Sequence, residues 1–313
     1  MQQDARPCDP RYIRSLLSRH GFHSSRRLGQ HFLTDSRVPE TIVERAGITR
    51  SHFVLEIGPG LGALTLALSA AAGRVAAVEV DKSLLPLLNE TLSGLDNVTL
   101  IHADILKMDL RALVREHLGR EPESGGRLII APTKNNAPLS TVHFPLSTIS
   151  VCANLPYNIT TPVIRQLLST DLFGEITVMV QKEVAQRLCA AAGTPAYGAF
   201  TVFVGARAVC TPLFDVPPGC FTPPPKVTSS VVKLTRRIYP LYDPALFERV
   251  TRAAFAQRRK TLVNALAGVL PLSKAELTEA LLACGLTPLA RGETLDVEAF
   301  DRLTQVLSGI RQQ

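Results

Sequence analysis

The stretch Phe53-Val54-Leu55-Glu56-Ile57-Gly58-Pro59-Gly60-Leu61-Gly62 carries an apolar run of strand length straight into a glycine loop. A short apolar run bounded by glycines reads as a buried strand. A helical pattern over residues 63–72 follows it, and Gly73 ends that helix. Downstream the rhythm repeats, with a strand over 75–80, a helix over 82–93 and a strand over 98–101 that ends near Asp104. It resumes with a strand over 148–153, a helix over 162–169, a strand over 176–180 and a helix from Lys182. Strands alternating with helices predict an α/β fold with a parallel, doubly wound sheet and right-handed crossovers. Residues 200–209 and 227–234 read as two further strands, an antiparallel pair at the sheet edge, with a proline-rich segment between them. Between 119 and 147 Gly, Pro, Ser, Thr and Asn dominate, which predicts an exposed insertion loop. Upstream lie a helix over 37–46, a polar and basic arm over 24–33 and a short helix over 10–20. Beyond Tyr239 the pattern is helical throughout (244–256, 260–267, 273–284 and 296–308), a small all-helical domain.

A glycine loop between a strand and a helix lets the backbone pass close beneath a ligand, a geometry that suits a nucleotide-type cofactor. Glu79, at the end of the next strand and 21 residues after Gly58, is placed to accept hydrogen bonds from both hydroxyls of a ribose. Dinucleotide dehydrogenases and enzymes using S-adenosylmethionine share this arrangement. Two details favour the second group. The spacing is Gly-x-Gly-x-Gly, without the third glycine of the dinucleotide fingerprint, and Asp104 ends the third strand where it can accept from an adenine amine.

Asn154-Leu155-Pro156-Tyr157 sits at the carboxyl end of the 148–153 strand, where open α/β sheets bind ligands. By itself such a turn equally describes an Asn cap and a core Tyr. Beside a methyl donor it gains a role. An exocyclic amine conjugated to its ring is a poor nucleophile. The Asn154 side-chain oxygen and the carbonyl of Leu155 or Pro156 could accept its two N–H bonds and hold the nitrogen toward tetrahedral geometry. Tyr157 would stack on the base, which must be flipped or unpaired to reach the site.

Hydrophobic content of 46% and charged content of 19% describe a globular protein, not a disordered one. No run approaches the ~18 apolar residues of a membrane span, and the N-terminus lacks the apolar core of a signal peptide. The six cysteines show no metal-ligand spacing, so reduced thiols in a cytoplasm and no metal are expected. The net charge of +7 is unevenly spread: residues 226–260 hold nine Lys or Arg against Asp243 and Glu248. Residues 1–31 hold six Arg against two acids. Basic ends around a slightly acidic middle suggest a polyanion footprint.

The residues now quoted resemble the bacterial small-subunit (16S) ribosomal RNA adenine N6,N6-dimethyltransferases, class I methyltransferases. The resemblance runs from about Ser25 into the C-terminal helices, outside the 119–147 insertion. It rests on Leu28-Gly29-Gln30-His31-Phe32-Leu33, the 56–62 loop, Asn154-Leu155-Pro156-Tyr157-Asn158-Ile159 and Gln181-Lys182-Glu183-Val184. Phe221-Thr222-Pro223-Pro224-Pro225-Lys226-Val227 and Phe255-Ala256-Gln257-Arg258-Arg259-Lys260-Thr261-Leu262 are its most specific segments. It implies a basic arm over 1–36, a Rossmann-like methyltransferase domain over 37–238 and a helical RNA-binding domain over 239–313. S-adenosylmethionine would be contacted by His31, Leu33, Gly58, Gly60, Glu79, Asp104 and Asn154; the family usually carries Asn at position 31. The catalytic set would be Asn154, Leu155, Pro156, Tyr157 and Phe221, with Phe221 covering the target adenine opposite Tyr157. Arg26, Arg27, Lys226, Arg258, Arg259 and Lys260 would contact RNA. The implied activity is dimethylation of two adjacent adenosines near the 3′ end of 16S rRNA in the 30S subunit, by a cytoplasmic monomer. The alternatives are a large-subunit (23S) rRNA adenine methylase of the resistance type and a non-catalytic assembly factor on the same fold.

Overall fold

In a computed structural model of the protein, residues 7–22, 29–118 and 148–310 are described. The insertion expected over 119–147 lies outside them. Elements follow the chain as α1 (Pro10–Arg19), β1 (Phe32–Leu33), α2 (Arg37–Ala46), β2 (Phe53–Ile57), α3 (Ala63–Ala71) and β3 (Arg74–Glu79). Next come α4 (Leu85–Thr91), β4 (Val98–His102), α5 (Leu110–Leu118), β5 (Ile149–Asn154), α6 (Thr160–Leu168), β6 (Glu175–Gln181) and α7 (Lys182–Leu188). The remainder is α8 (Ala199–Gly205), β7 (Ala208–Val216), β8 (Phe221–Thr222), β9 (Ser229–Arg236), α9 (Pro244–Ala256), α10 (Leu262–Leu266), α11 (Lys274–Ala283) and α12 (Val297–Ile310).

Every residue of β2 is buried because the strand lies between β3 and β5, parallel to both. A strand covered on both faces needs a continuous apolar run rather than alternation, and Phe53–Ile57 supplies one. The sheet order is β4-β3-β2-β5-β6-β9-β7. β3 and β4 therefore lie on one side of β2 and β5 and β6 on the other, so the order reverses between β2 and β5. That is the topological switch point, and its crevice opens at the carboxyl ends of these two strands. β9 pairs antiparallel with β6, and β7 forms the edge, where Pro212 costs no central ladder bond.

The chain forms two compact units: residues 1–182 with 211–236, and residues 183–210 with 237–313. In the first, the apolar side of α1 (Ile13, Leu16) packs with Phe32, Leu61, Leu87 and Leu88. Arg19 and His20 both reach Glu90 on α4. In the second, α9–α12 share one core with Tyr197, Val202 and Ala206.

Two expectations change. Residues 200–209 are predicted as a strand, yet residues 199–205 form a helix. The run Phe200-Thr201-Val202-Phe203-Val204 has strand-like composition, but Thr201 Oγ1 accepts from the Gly198 N–H at 3.1 Å and donates to the Arg187 carbonyl at 2.7 Å. Those bonds start a helix, and packing of Val202 in the second unit's core outweighs β-propensity. The following strand starts at Ala208 instead. The arm is also not all loop: Phe32 and Leu33 pair antiparallel with Thr222 and Phe221. All six cysteines are free thiols. Among the described residues no helix is long and apolar enough to cross a membrane.

Candidate active site

The glycine loop holds its shape through backbone conformations that side chains resist. Gly58, Gly60 and Gly62 have φ of 70°, 60° and 87°, in the left-handed region. The Gly58 N–H donates to the Val78 carbonyl at 2.9 Å, which ties the loop to β3. The two decisive stretches of sequence meet here: a Cβ on Gly58 would lie 3.6 Å from the Pro156 ring and 3.9 Å from the Asn154 carbonyl.

Between them lies a cavity of about 270 Å³, close to the ~300 Å³ lower end of small-molecule sites. Gly58, Gly60, Glu79, Asp104, Asn154, Leu155, Pro156, Tyr157, His31 and Leu33, all named from sequence, line it. Glu79 is only 5% exposed, and one carboxylate oxygen accepts from the Asp81 N–H at 2.8 Å. Burial pushes its pKa up against that bond. Asp104 caps its own turn by accepting from the Leu106 N–H at 3.1 Å. Among the lining residues that the sequence reading did not assign are Val80, Leu106 and Glu56. Val80 and Leu106, 49% and 38% exposed, are large apolar side chains at the cavity. Their signal was position, one residue beyond Glu79 and two beyond Asp104. Glu56 is 1% exposed, and burial raises its pKa to about 8. Its Oε2 is buried without a hydrogen-bond partner among the described residues.

Asn154 is the last residue of β5, and the chain then turns, with the Leu155 N–H donating to the Met179 carbonyl at 3.2 Å. The Asn154 side-chain amide makes no hydrogen bond among the described residues. Of the two carbonyls considered, that of Pro156 already accepts from the Ile159 N–H at 3.1 Å and the Thr160 hydroxyl at 3.2 Å. The Leu155 carbonyl has no partner among the described residues, so it is the one left for a ligand. Tyr157 is fixed at both ends. Its hydroxyl lies 2.7 Å from that of Ser229, and its ring centroid lies 5.8 Å from that of His31 at an interplanar angle of 30°. His31 Nδ1 is 2.7 Å from the Pro223 carbonyl, which can only accept, so Nδ1 carries the proton.

Phe221 is not brought to the cavity. It is 4% exposed and packs in an apolar cluster with Leu33, Val38 and Ile42, because pairing of β1 with β8 sets it opposite Leu33. In this geometry it is a buried residue of that cluster. The exposed Arg258 guanidinium donates twice to the Pro195 carbonyl at 3.2 Å and lies 3.5 Å from Glu293. Lys226, Arg259 and Lys260 are exposed, while Arg26 and Arg27 lie outside the described residues.

A family model described as ribosomal RNA adenine dimethylase matches residues 21–305. The chain belongs to this family. Family relatives include the ribosomal RNA small subunit methyltransferase A of Geobacillus thermodenitrificans, 41% identical over 305 residues that cover 95% of this chain and 96% of the relative. The protein of the same name from Lactiplantibacillus plantarum is 41% identical over 314 residues, 98% of each chain. Among solved structures, a dimethyladenosine transferase from Plasmodium falciparum superposes with a TM-score of 0.67 at 25% identity, covering 87% of this chain and 96% of that one. The 23S rRNA methyltransferase ErmE gives 0.62 at 24% identity, covering 88% and 99%, and bears on the fold alone. The protein is thus an rRNA methyltransferase on a class I, Rossmann-like α/β fold, and the dehydrogenase reading of its glycine loop falls away.

Proposed function

We propose that the protein uses S-adenosylmethionine to dimethylate N6 of two adjacent adenosines near the 3′ end of small-subunit rRNA. The observation that carries the reading is the pair of free acceptors at the cavity, the Asn154 amide oxygen and the Leu155 carbonyl. They stand beside a Tyr157 ring fixed by Ser229 and His31.

The site fits the cofactor. The cradle at Gly58 and Gly60 admits close backbone approach, Glu79 offers a carboxylate oxygen at a strand end, and the buried Glu56 Oε2 has no hydrogen-bond partner among the described residues and is open to a polar group of the ligand. Val80 and Leu106 offer apolar surface to a purine beside Asp104. When bound, S-adenosylmethionine supplies a methyl group on a sulfonium centre, transferred as the carbon–sulfur bond breaks onto sulfur. The protein's part is orientation. Asn154 Oδ1 and the Leu155 carbonyl accept the two N–H bonds of adenine N6. They draw its lone pair out of conjugation and toward the donor, and they stabilise the positive charge that develops on nitrogen. Tyr157 holds the ring plane. The displaced proton passes to water, and no general base is needed. For the second transfer only one N–H remains, so one acceptor must yield to a methyl group.

The small-subunit assignment follows the names carried by full-length relatives at about 40% identity. The test uses purified protein, tritiated S-adenosylmethionine and small subunits from a strain lacking the modification, with naked large-subunit rRNA in parallel. Label at paired adenosines of small-subunit rRNA is expected. Label only in large-subunit rRNA would move the protein to the resistance type, and cofactor binding without transfer would favour an assembly factor.

A further inference from the structure

Tyr157 is the platform of the proposed reaction, yet its own element does not fix its ring. It opens a single 3₁₀ turn, Tyr157–Ile159, and is half-buried. Rotation of an aromatic ring about its Cβ–Cγ bond is broad and roughly two-fold, so neighbours must set the ring plane. Two neighbours do so in different ways. The Tyr157 hydroxyl lies 2.7 Å from that of Ser229. That oxygen sits on the axis about which the ring turns, so the bond aims the axis and leaves the turning free. The His31 ring restrains the turning. Its centroid lies 5.8 Å from that of Tyr157 at an interplanar angle of 30°, within the range of aromatic pairs.

Both neighbours are themselves anchored. Ser229 is fully buried and opens β9, in register with Gln181 of β6. One residue earlier, the Thr228 carbonyl accepts from the Lys182 N–H at 3.0 Å. One residue later, on the other face of the strand, Ser230 donates to Asp215 Oδ1 at 2.5 Å, and Asp215 pairs with Lys182 at 2.6 Å. His31 donates from Nδ1 to the Pro223 carbonyl at 2.7 Å, and the two residues after it pair with Thr222 and Phe221. Pro223 and Ser229 are the two ends of one segment. That segment is therefore tied to the platform twice, at Ser229 directly and at Pro223 through His31.

The two methyl transfers ask different things of this clamp. In the first, adenine N6 offers two N–H bonds to two acceptors, Asn154 Oδ1 and the Leu155 carbonyl, and that pair orients the amine. Afterwards one N–H remains and one acceptor is idle. An amine held at a single point swings about that bond, so the direction of its lone pair then depends on the plane of its ring, and hence on Tyr157. We propose that His31 and Ser229 are positioning residues that set the Tyr157 ring and thereby govern the second transfer, deciding between monomethyl- and dimethyladenosine. This rests on the dimethylation reading above. The second step balances as the first does. The N6 lone pair forms the new carbon–nitrogen bond, the methyl–sulfur bond breaks onto sulfur, and the remaining N–H proton leaves to water.

The experiment is a time course of methylation of small subunits lacking the modification, with released monomethyl- and dimethyladenosine quantified by mass spectrometry. Ser229→Ala should slow the second transfer by roughly five- to tenfold, the scale of one lost hydrogen bond, and the first by much less, so that monomethyladenosine accumulates. Combining it with Tyr157→Phe should do no more than either change alone, because both delete the same bond. His31→Asn, which keeps polarity without a ring, should also accumulate monomethyladenosine. His31→Phe restores a flat face and should bring the dimethyl share back toward wild type. Ser230→Ala should lower the thermal midpoint without moving the ratio. A second readout needs neither substrate nor cofactor. In protein labelled with 3-fluorotyrosine, the Tyr157 fluorine line, assigned by its loss in Tyr157→Phe, should shift in Ser229→Ala and in His31→Asn. Folded variants that slow both transfers equally would overturn the proposal, as would an unmoved Tyr157 line. A wild type that stops at one methyl overturns it too, while leaving rRNA methylation standing. A wild type that transfers no methyl group to RNA removes instead the reading on which it rests.

Discussion

Asn154 presents a primary amide that nothing in the described protein engages, at the end of a strand whose other residues are buried. A truncation there removes an acceptor without orphaning a partner, so its cost should appear in chemistry and not in folding. Asn154→Ala is expected to lower kcat by roughly 10²–10³, the scale for loss of one charge-stabilising contact. Calorimetry should show cofactor affinity changed by only a few-fold; near-normal turnover would sink the proposed role. Asn154 was legible because polarity at a strand's carboxyl end is conspicuous. Glu56 was not, since a carboxyl inside an apolar strand announces nothing until its burial is seen. Its pKa of about 8, set by burial, stands above its ordinary 4.5. The folded state therefore keeps a proton that the unfolded chain releases, and stability is greatest below the ordinary value and falls as pH rises toward 8. Glu56→Gln removes that dependence. Denaturant melts at successive pH should show the variant gaining on wild type by up to ~1.4 kcal/mol per pH unit between about pH 5 and 8. A constant difference across that range would refute it. Phe221 shows the converse: an aromatic in a proline-rich turn reads alike whether it faces a base or packs in the core, where the structure places it. Only the pairing of Leu33 with Phe221 decides.

At the scale of elements, the parallel half of the sheet was plain from sequence because each strand, loop and helix there is locally consistent. The glycine loop is the strictest case. A Cβ at Gly62 would lie 3.0 Å from Leu92 and 3.3 Å from Thr91, and its φ of 87° is itself unfavourable for any side chain. Gly47, which ends α2 at φ of 74°, shares the conformation but would meet nothing within 4 Å. Gly47→Ala should therefore cost about 1–2 kcal/mol, the left-handed penalty alone. Gly62→Ala should cost more, since α4 must also give way, and it alone should weaken cofactor binding. Equal losses in paired denaturation curves would mean that the loop is not clamped by α4. Residues 199–205 show the limit of local reading. Their β-branched and aromatic side chains favour a strand, and the helix exists because Thr201 bonds to Gly198 and Arg187 while Val202 joins a core built from distant segments. No window of sequence contains that information.

At the scale of the molecule, the sequence places the start of a helical domain at residue 239, where proline and a change of periodicity mark it. The compact unit is larger and discontinuous, because residues 183–210 group with 237–313. Those residues are not a passive tether. The Tyr197 hydroxyl donates to the Leu295 carbonyl at 2.8 Å, Arg207 pairs with Glu248, and Val202 and Ala206 sit in the core that holds Phe247 and Phe300. Arg258 fastens the turn after α9 to Pro195. Removing 183–210 would expose the apolar faces of α9 and α12 and leave buried polar groups unpaired, each costing about 1–3 kcal/mol. Set against the 5–15 kcal/mol that holds a typical domain, that loss is decisive. A fragment of residues 239–313 should therefore show helical content without a cooperative melt. A fragment of 183–210 joined by a short flexible linker to 237–313 should unfold in one transition. Circular dichroism melts with hydrogen exchange on both fragments would settle it. A cooperative, exchange-protected 239–313 would show that the helices carry their own core and that 183–210 merely decorates it.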